Sequence, residues 1–223
     1  MHRPDDAPWS RPDGYAEAYA NVRFQRGSGP RTHRREARIL DSLLSEWRAL
    51  ETRTPSNPTD RSVGRWLDVP SGAGRWSGHL PGPVVCVDRD PKMLAEADAR
   101  LPNVTTVRAT ALQLPFEDRS FEGALCFRLL HHLAKPEERL QVLNELRRVV
   151  RGPLLFSFFD KHSVQHLRRV VRRRFGKKRS SRNGIAKSTL RAELELAGFE
   201  LIRWQGLSPY ISEQWIGLAR PRR

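Results

Sequence analysis

Asp68, Gly72 and Gly74 stand close together in WLDVPSGAGR, residues 66–75. An apolar run ends at Asp68, so the acid sits at a strand's end and the glycines fall in the loop after it. Glycine lets the backbone approach a ligand closely. The segment reads as strand, loop and then helix, with a helix N-terminus that favours negative charge. A carboxylate at that strand end repels pyrophosphate and suits a ligand with an ammonium group. The dinucleotide fingerprint asks for a third glycine at position 77, where Ser77 stands. A glycine pair alone is also the mark of a tight turn. A second acid, Asp88, ends the run VVCVD. At a strand tip, a carboxylate can accept hydrogen bonds from both hydroxyls of a ribose. Asp90 directly precedes Pro91, the arrangement of a helix cap, which leaves Asp88 for a ligand.

Arg128, His131 and His132 lie just beyond another apolar run, FEGALCF (121–127). Either histidine has a pKa suited to taking a proton near neutral pH; the plainer role is packing or capping at a helix start. Arg128 suits an acidic acceptor, or is a surface charge. Cys86 and Cys126 sit inside apolar runs and read as buried free thiols, with no disulfide framework or metal site to build on. A reducing cytoplasm fits them.

These residues need a scaffold that brings several strand ends together. Runs at 65–70, 83–88, 104–109, 121–127, 153–159, 199–207 and 211–220 read as strands. Helical spacing falls at 31–52, 91–101, 135–150, near 163–175 and at 188–197, the last closed by Gly198. Strands alternating with helices predict a doubly wound, mostly parallel α/β sheet. The last two strands have no helix between them and predict an antiparallel hairpin at one edge. The Pro-rich residues 1–30, with interleaved aromatics, form an arm or lid; 31–223 form one domain.

Four blocks in order resemble the class I S-adenosylmethionine-dependent methyltransferases: LDVPSGAGR (67–75), VVCVDRDPKML (84–94), VRATALQLPFEDRSFEGALCF (107–127), and RLLHHL (128–133) followed by ELRRVVRGPLLFS (145–157). The family's first loop glycine is Pro70 here, the acid before Leu-Pro-Phe is Thr110, and the Asp of Ser-Phe-Asp is Glu122. The resemblance implies a Rossmann-like seven-stranded fold and S-adenosylmethionine as cofactor. It implies that Asp68, Gly72 and Gly74 hold the methionine part and that Asp88 binds the ribose. Thr110, Ala111, Leu112 and Met93 then surround the adenine, and Phe127 and Arg128 line the reactive end.

The net charge of +15 points to an anionic partner, or only to an arginine-rich composition. Residues 167–182 carry nine cations and no acid, with an apolar stripe at Leu167, Val170, Val171 and Phe175. Such a helix suits an anionic membrane surface or phosphates; the plainer alternative is a solvated helix packed on the sheet by its stripe. No apolar stretch spans a membrane and the N-terminus has no secretory core, so a cytoplasmic protein, peripheral to the membrane through 167–182, is expected. The expected activity is methyl transfer to a small-molecule or lipid-type acceptor, anionic in character. An RNA methyltransferase, supported by charge alone, and a non-catalytic protein keeping the fold are the alternatives.

Overall fold

The computed structural model describes residues 29–53, 64–174, 183–208 and 211–222. The expected N-terminal arm (residues 1–28 of it), the loop at 54–62 and the basic residues 175–182 lie outside the described residues. The elements in chain order are α1 (Gly29–Arg53), β1 (Trp66–Asp68), β2 (Val84–Asp88), α2 (Pro91–Arg100), β3 (Val104–Arg108), β4 (Gly123–Cys126), α3 (Pro136–Val149), β5 (Leu154–Phe159), α4 (Val164–Arg174), α5 (Lys187–Leu196), β6 (Phe199–Gly206) and β7 (Gln214–Pro221). All seven strands join one sheet in the order β3-β2-β1-β4-β5-β7-β6. β1 to β5 run parallel; β7 is antiparallel to both β5 and β6. The last hairpin therefore folds back, slotting β7 against β5 and leaving β6 at the edge.

Strand residues alternate between two buried layers, as the period of two requires. Leu67, Val85, Val87, Phe156 and Phe158 face a layer built with Val142, Leu143 and Leu146 of α3 and Leu190 and Leu194 of α5. Trp66, Val84, Cys86, Leu125, Leu155 and Ile216 face the other layer, covered by Ile39, Leu40, Leu43 and Leu44 of α1. Covering both faces is what lets these parallel strands be apolar on both sides.

Local signals set the helix ends. The Lys92 N–H donates to the Asp90 carboxylate at 3.0 Å, and Pro91 starts α2. Pro136, Glu137 and Glu138 open α3, and Arg147 and Arg148 lie in its last turn, complementing the helix dipole. Gly198 takes φ +80° just past α5, where a left-handed residue ends a helix readily.

Two expectations need correction. The helix expected after the glycine loop does not form; turns and a single 3₁₀ turn, Ser77–His79, connect β1 to β2. The connection holds Gly72, Gly74, Gly78, Gly82, Pro70, Pro81 and Pro83, a density no α-helix tolerates. No helix dipole stands behind that loop. The second concerns α4: Leu167, Val170 and Val171 are exposed, so the stripe does not pack on the sheet.

Candidate functional site

Asp68 and Asp88 end β1 and β2, the central pair of parallel strands, and Phe127 and Arg128 follow β4 on the other side of β1. The chain reverses its winding direction at β1/β4, the place where open α/β sheets build ligand crevices outside the strands' C-terminal ends.

Asp68 is 1% exposed. The Ser77 hydroxyl donates to its carboxylate at 2.6 Å, and the Cys86 thiol donates to Ser77 at 3.2 Å. Burial lifts the Asp68 carboxyl to about 7; the Ser77 bond opposes this and the nearby Asp88 charge adds to it. The same burial raises the Cys86 and Cys126 thiols to about 11 and about 12, so both keep their protons at neutral pH.

Gly72 and Gly74 adopt φ +54° and +69°. Left-handed backbone at two positions two residues apart explains the glycine spacing. Gly74 also meets α2: a Cβ there would lie 2.5 Å from Leu101 Cδ1 and 3.2 Å from Ala97 Cβ. Asp88 closes the loop from the other side. Its carboxylate accepts the Gly72 N–H at 2.9 Å and the Asp90 N–H at 3.0 Å. Asp88 thus does not cap α2, as expected, and its carboxylate also shapes the glycine loop through these backbone bonds. Burial raises its pKa, and the backbone donors oppose the shift.

Thr110, Ala111 and Leu112 form a turn after β3. The Thr110 hydroxyl oxygen accepts the Leu112 N–H at 3.3 Å, and the Leu112 carbonyl accepts from the Gln141 side chain at 2.9 Å. Met93 is buried in the first turn of α2, the helix that Asp88 precedes. Phe127 is buried against Trp76, with ring centroids 5.4 Å apart. Arg128 has φ +62°, a sparse region for a side-chain-bearing residue, and its N–H donates to the Ser157 hydroxyl at 2.8 Å. His131 is wholly buried and stacks flat on Phe159, centroids 3.9 Å apart. His132 is half-buried beside it, at 4.3 Å.

Three positioning groups were not read from the sequence. Ser77 registered only as a missing glycine, yet it holds Asp68. Ser157 fixes the backbone at Arg128. Glu36, fully buried in α1, accepts from Arg75 of the glycine loop and from Gln214 of β7, the latter at 2.6 Å. Arg75 lies over the Trp76 ring, 4.3 Å from its centroid, and Trp76 stacks on His33 of α1. α1 therefore clamps the loop from outside. The signal was available: Glu36 lies in register with the apolar stripe Ile39, Leu40 and Leu43, where a solvated acid does not belong.

Residues 67–152 match the family described as a methyltransferase domain. An uncharacterised methyltransferase-like protein of Schizosaccharomyces pombe is 28% identical over 85 residues, 36% of this chain; the match spans 33% of that curated relative. Magnesium protoporphyrin IX methyltransferase of Synechocystis PCC 6803, solved with bound SAH, is 17% identical with a TM-score of 0.66, over 93% of this chain and 98% of that one. A Pyrococcus horikoshii OT3 protein is 20% identical with a TM-score of 0.65, over 92% and 95% of the two chains. Residues 67–152 thus resemble a methyltransferase domain, and the chain as a whole shares the fold of the solved magnesium protoporphyrin IX methyltransferase.

Proposed function

We propose that the protein transfers the methyl group of S-adenosylmethionine to a small-molecule or lipid-type acceptor. The observation that carries this is the convergence of buried Asp68, half-buried Asp88 and a glycine-bearing loop at the ends of β1 and β2, with the Gly72 N–H bonded to Asp88. The donor set fits the cofactor. The Asp88 carboxylate stands at the strand tip, and its remaining acceptor capacity suits the vicinal hydroxyls of a ribose. Asp68 supplies a carboxylate whose ionised form an ammonium group stabilises. Met93, Ala111 and Leu112 offer an apolar border for an adenine.

The bound cofactor supplies an electrophilic methyl on a sulfonium. The chain's own residues do the rest by alignment and water exclusion, which account for much of the rate in such transfers. Phe127 packs the floor, and the Ser157 bond fixes the backbone where the Arg128 side chain leaves the sheet to meet an anionic acceptor. Where the acceptor must lose a proton, His132 is the better base of the two, because the His131 ring is buried flat against Phe159.

Titration calorimetry with S-adenosylmethionine and its demethylated product tests the first half. Binding of both is expected; a folded protein that binds neither overturns the reading. Incubation with methyl-labelled cofactor and fractionated cell extract tests the second. Label is expected in the lipid or small-molecule fraction, and label confined to RNA overturns the acceptor class.

A further inference from the structure

Helix α4 is bound to the body of the protein by its polar side. The Gln165 N–H donates to the Ile211 carbonyl at 3.1 Å, and the Gln165 side chain accepts the Glu213 N–H at 3.2 Å. His166 packs against Gly184 so closely that a Cβ there would lie 2.6 Å from the imidazole Cε1. The Ser163 hydroxyl accepts the His166 N–H at 3.1 Å and caps the helix. On a helical wheel Gln165 stands opposite the stripe shared by Val164, Leu167, Val170 and Val171, and His166 stands at the edge of that stripe, one turn before Val170.

That stripe is open. Val164 is 41% exposed, Leu167 63%, Val170 41% and Val171 47%, and Ile211, whose carbonyl holds the helix, is 60% exposed. Only Leu196 is a large apolar side chain with comparable exposure elsewhere among the described residues. A monomer surface rarely clusters apolar residues this way without a partner. The flanking charge selects the partner. The helix VQHLRRVVRRR has five arginines and no acid, and four more cations follow by residue 182. Apolar residues along one stripe, bordered by arginine, match the boundary of an anionic bilayer: the stripe enters the acyl region while the guanidinium groups meet the headgroups. A phosphate-gripping nucleic-acid site would use the cations and leave the stripe in water.

We infer that α4 docks the protein on an anionic lipid surface. The place of the helix gives the docking a use. The chain leaves β5 at Asp160 and returns at Ile185, whose N–H donates to the Phe159 carbonyl at 2.7 Å. The Asn183 N–H donates to the His131 carbonyl at 2.7 Å. Both ends of the excursion are thus tied to the rim that carries His131 and, through Ser157, Arg128. A surface held by α4 lies beside the edge where an acceptor enters. That consequence rests on the proposed methyl transfer; the docking does not.

The test is co-sedimentation of the full chain with phosphatidylcholine vesicles, with and without about a third phosphatidylglycerol, at low and high salt. Wild type is expected to bind the anionic vesicles and not the neutral ones, and to release as salt rises. Leu167→Ser with Val171→Ser is expected to lower partitioning about tenfold or more, because less apolar area enters the interface. Arg168→Gln with Arg172→Gln is expected to lower it as well, and more so at low salt. Both variants should keep the wild-type cofactor affinity by calorimetry, which also certifies their fold. Wild type that ignores anionic vesicles at low salt overturns the inference. So does a Leu167→Ser/Val171→Ser protein that binds them undiminished, or single-stranded RNA that outcompetes the vesicles with that variant unaffected. Vesicle binding without cofactor binding would overturn the methyl-transfer reading alone.

Discussion

The Gly72 N–H donates to the Asp88 carboxylate across 2.9 Å, so the loop after β1 and the tip of β2 form one unit. A residue suited to a ribose is also the residue that shapes the loop beneath it. On the proposed ribose role, Asp88→Ala removes a ligand contact and a loop tether together. It should weaken cofactor binding by at least about 1.5–3 kcal/mol, the scale of a hydrogen bond to a charged group. Asp90→Ala, which loses only the Lys92 cap, should lower stability by about 1 kcal/mol and leave affinity nearly unchanged. Calorimetry and thermal melts of the two variants, side by side, separate the roles; equal affinities would reject the assignment.

Buried Asp68 makes stability fall as pH rises. Its pKa stands near 7 in the folded chain against 3.8 for the free side chain. Between these values the folded state holds a proton that the unfolded state has released, so raising the pH favours unfolding. The stabilising contribution is complete below about pH 4 and is gone above about pH 7. Melting curves of wild type and Asp68→Asn across that window should diverge, with the variant relatively more stable at the upper end. Affinity for a ligand bearing an ammonium group should move oppositely, rising from about pH 6 to about pH 7.5 in wild type as the carboxylate ionises, and this slope should vanish in Asp68→Asn.

Gly74→Ala places a methyl group 2.5 Å from Leu101 Cδ1 on a backbone at φ +69°. Left-handed backbone costs a side-chain-bearing residue about 1–2 kcal/mol, and overpacking adds about 1–3 kcal/mol. Adding Leu101→Ala should relieve the second cost and not the first. A double-mutant cycle by denaturant titration should therefore show favourable coupling between the two substitutions; strict additivity would mean that Leu101 does not limit the loop.

Arg139 and Glu193 join α3 to α5 through two nearly buried hydrogen bonds, 2.9 and 2.5 Å. Arg139 also donates to the Leu133 and Ala134 carbonyls. Arg139→Met strands a buried carboxylate and should destabilise by about 3–5 kcal/mol. Arg139→Met with Glu193→Leu should recover a large part of that loss, because an apolar pair needs no desolvated charge. Equilibrium unfolding of the two variants checks the order.

The sequence by itself determined the strands, the helix ends and which residues stand at the strand tips. Each of these is a local property. Alternation and apolar runs mark the seven strands, Asp90-Pro91 writes the cap of α2, and Gly198 writes the end of α5 in the left-handed backbone it takes. The glycines of the loop were legible because only glycine adopts their φ values without strain. The helix expected after them does not form, because the run of Gly and Pro up to Pro83 overrides the usual strand-loop-helix order.

Tertiary structure alone decided who pairs with whom. Glu36 meets Arg75 and Gln214, 39 and 178 residues away, and Arg139 meets Glu193 across 54. No periodicity encodes a partner at that distance. The same holds for α4. Its amphipathic pattern states that a stripe exists, and the obvious expectation is a stripe turned to the sheet. The contacts of Gln165 and His166 turn it outward instead. A hydrophobic pattern fixes which residues share a face; only packing fixes what that face meets.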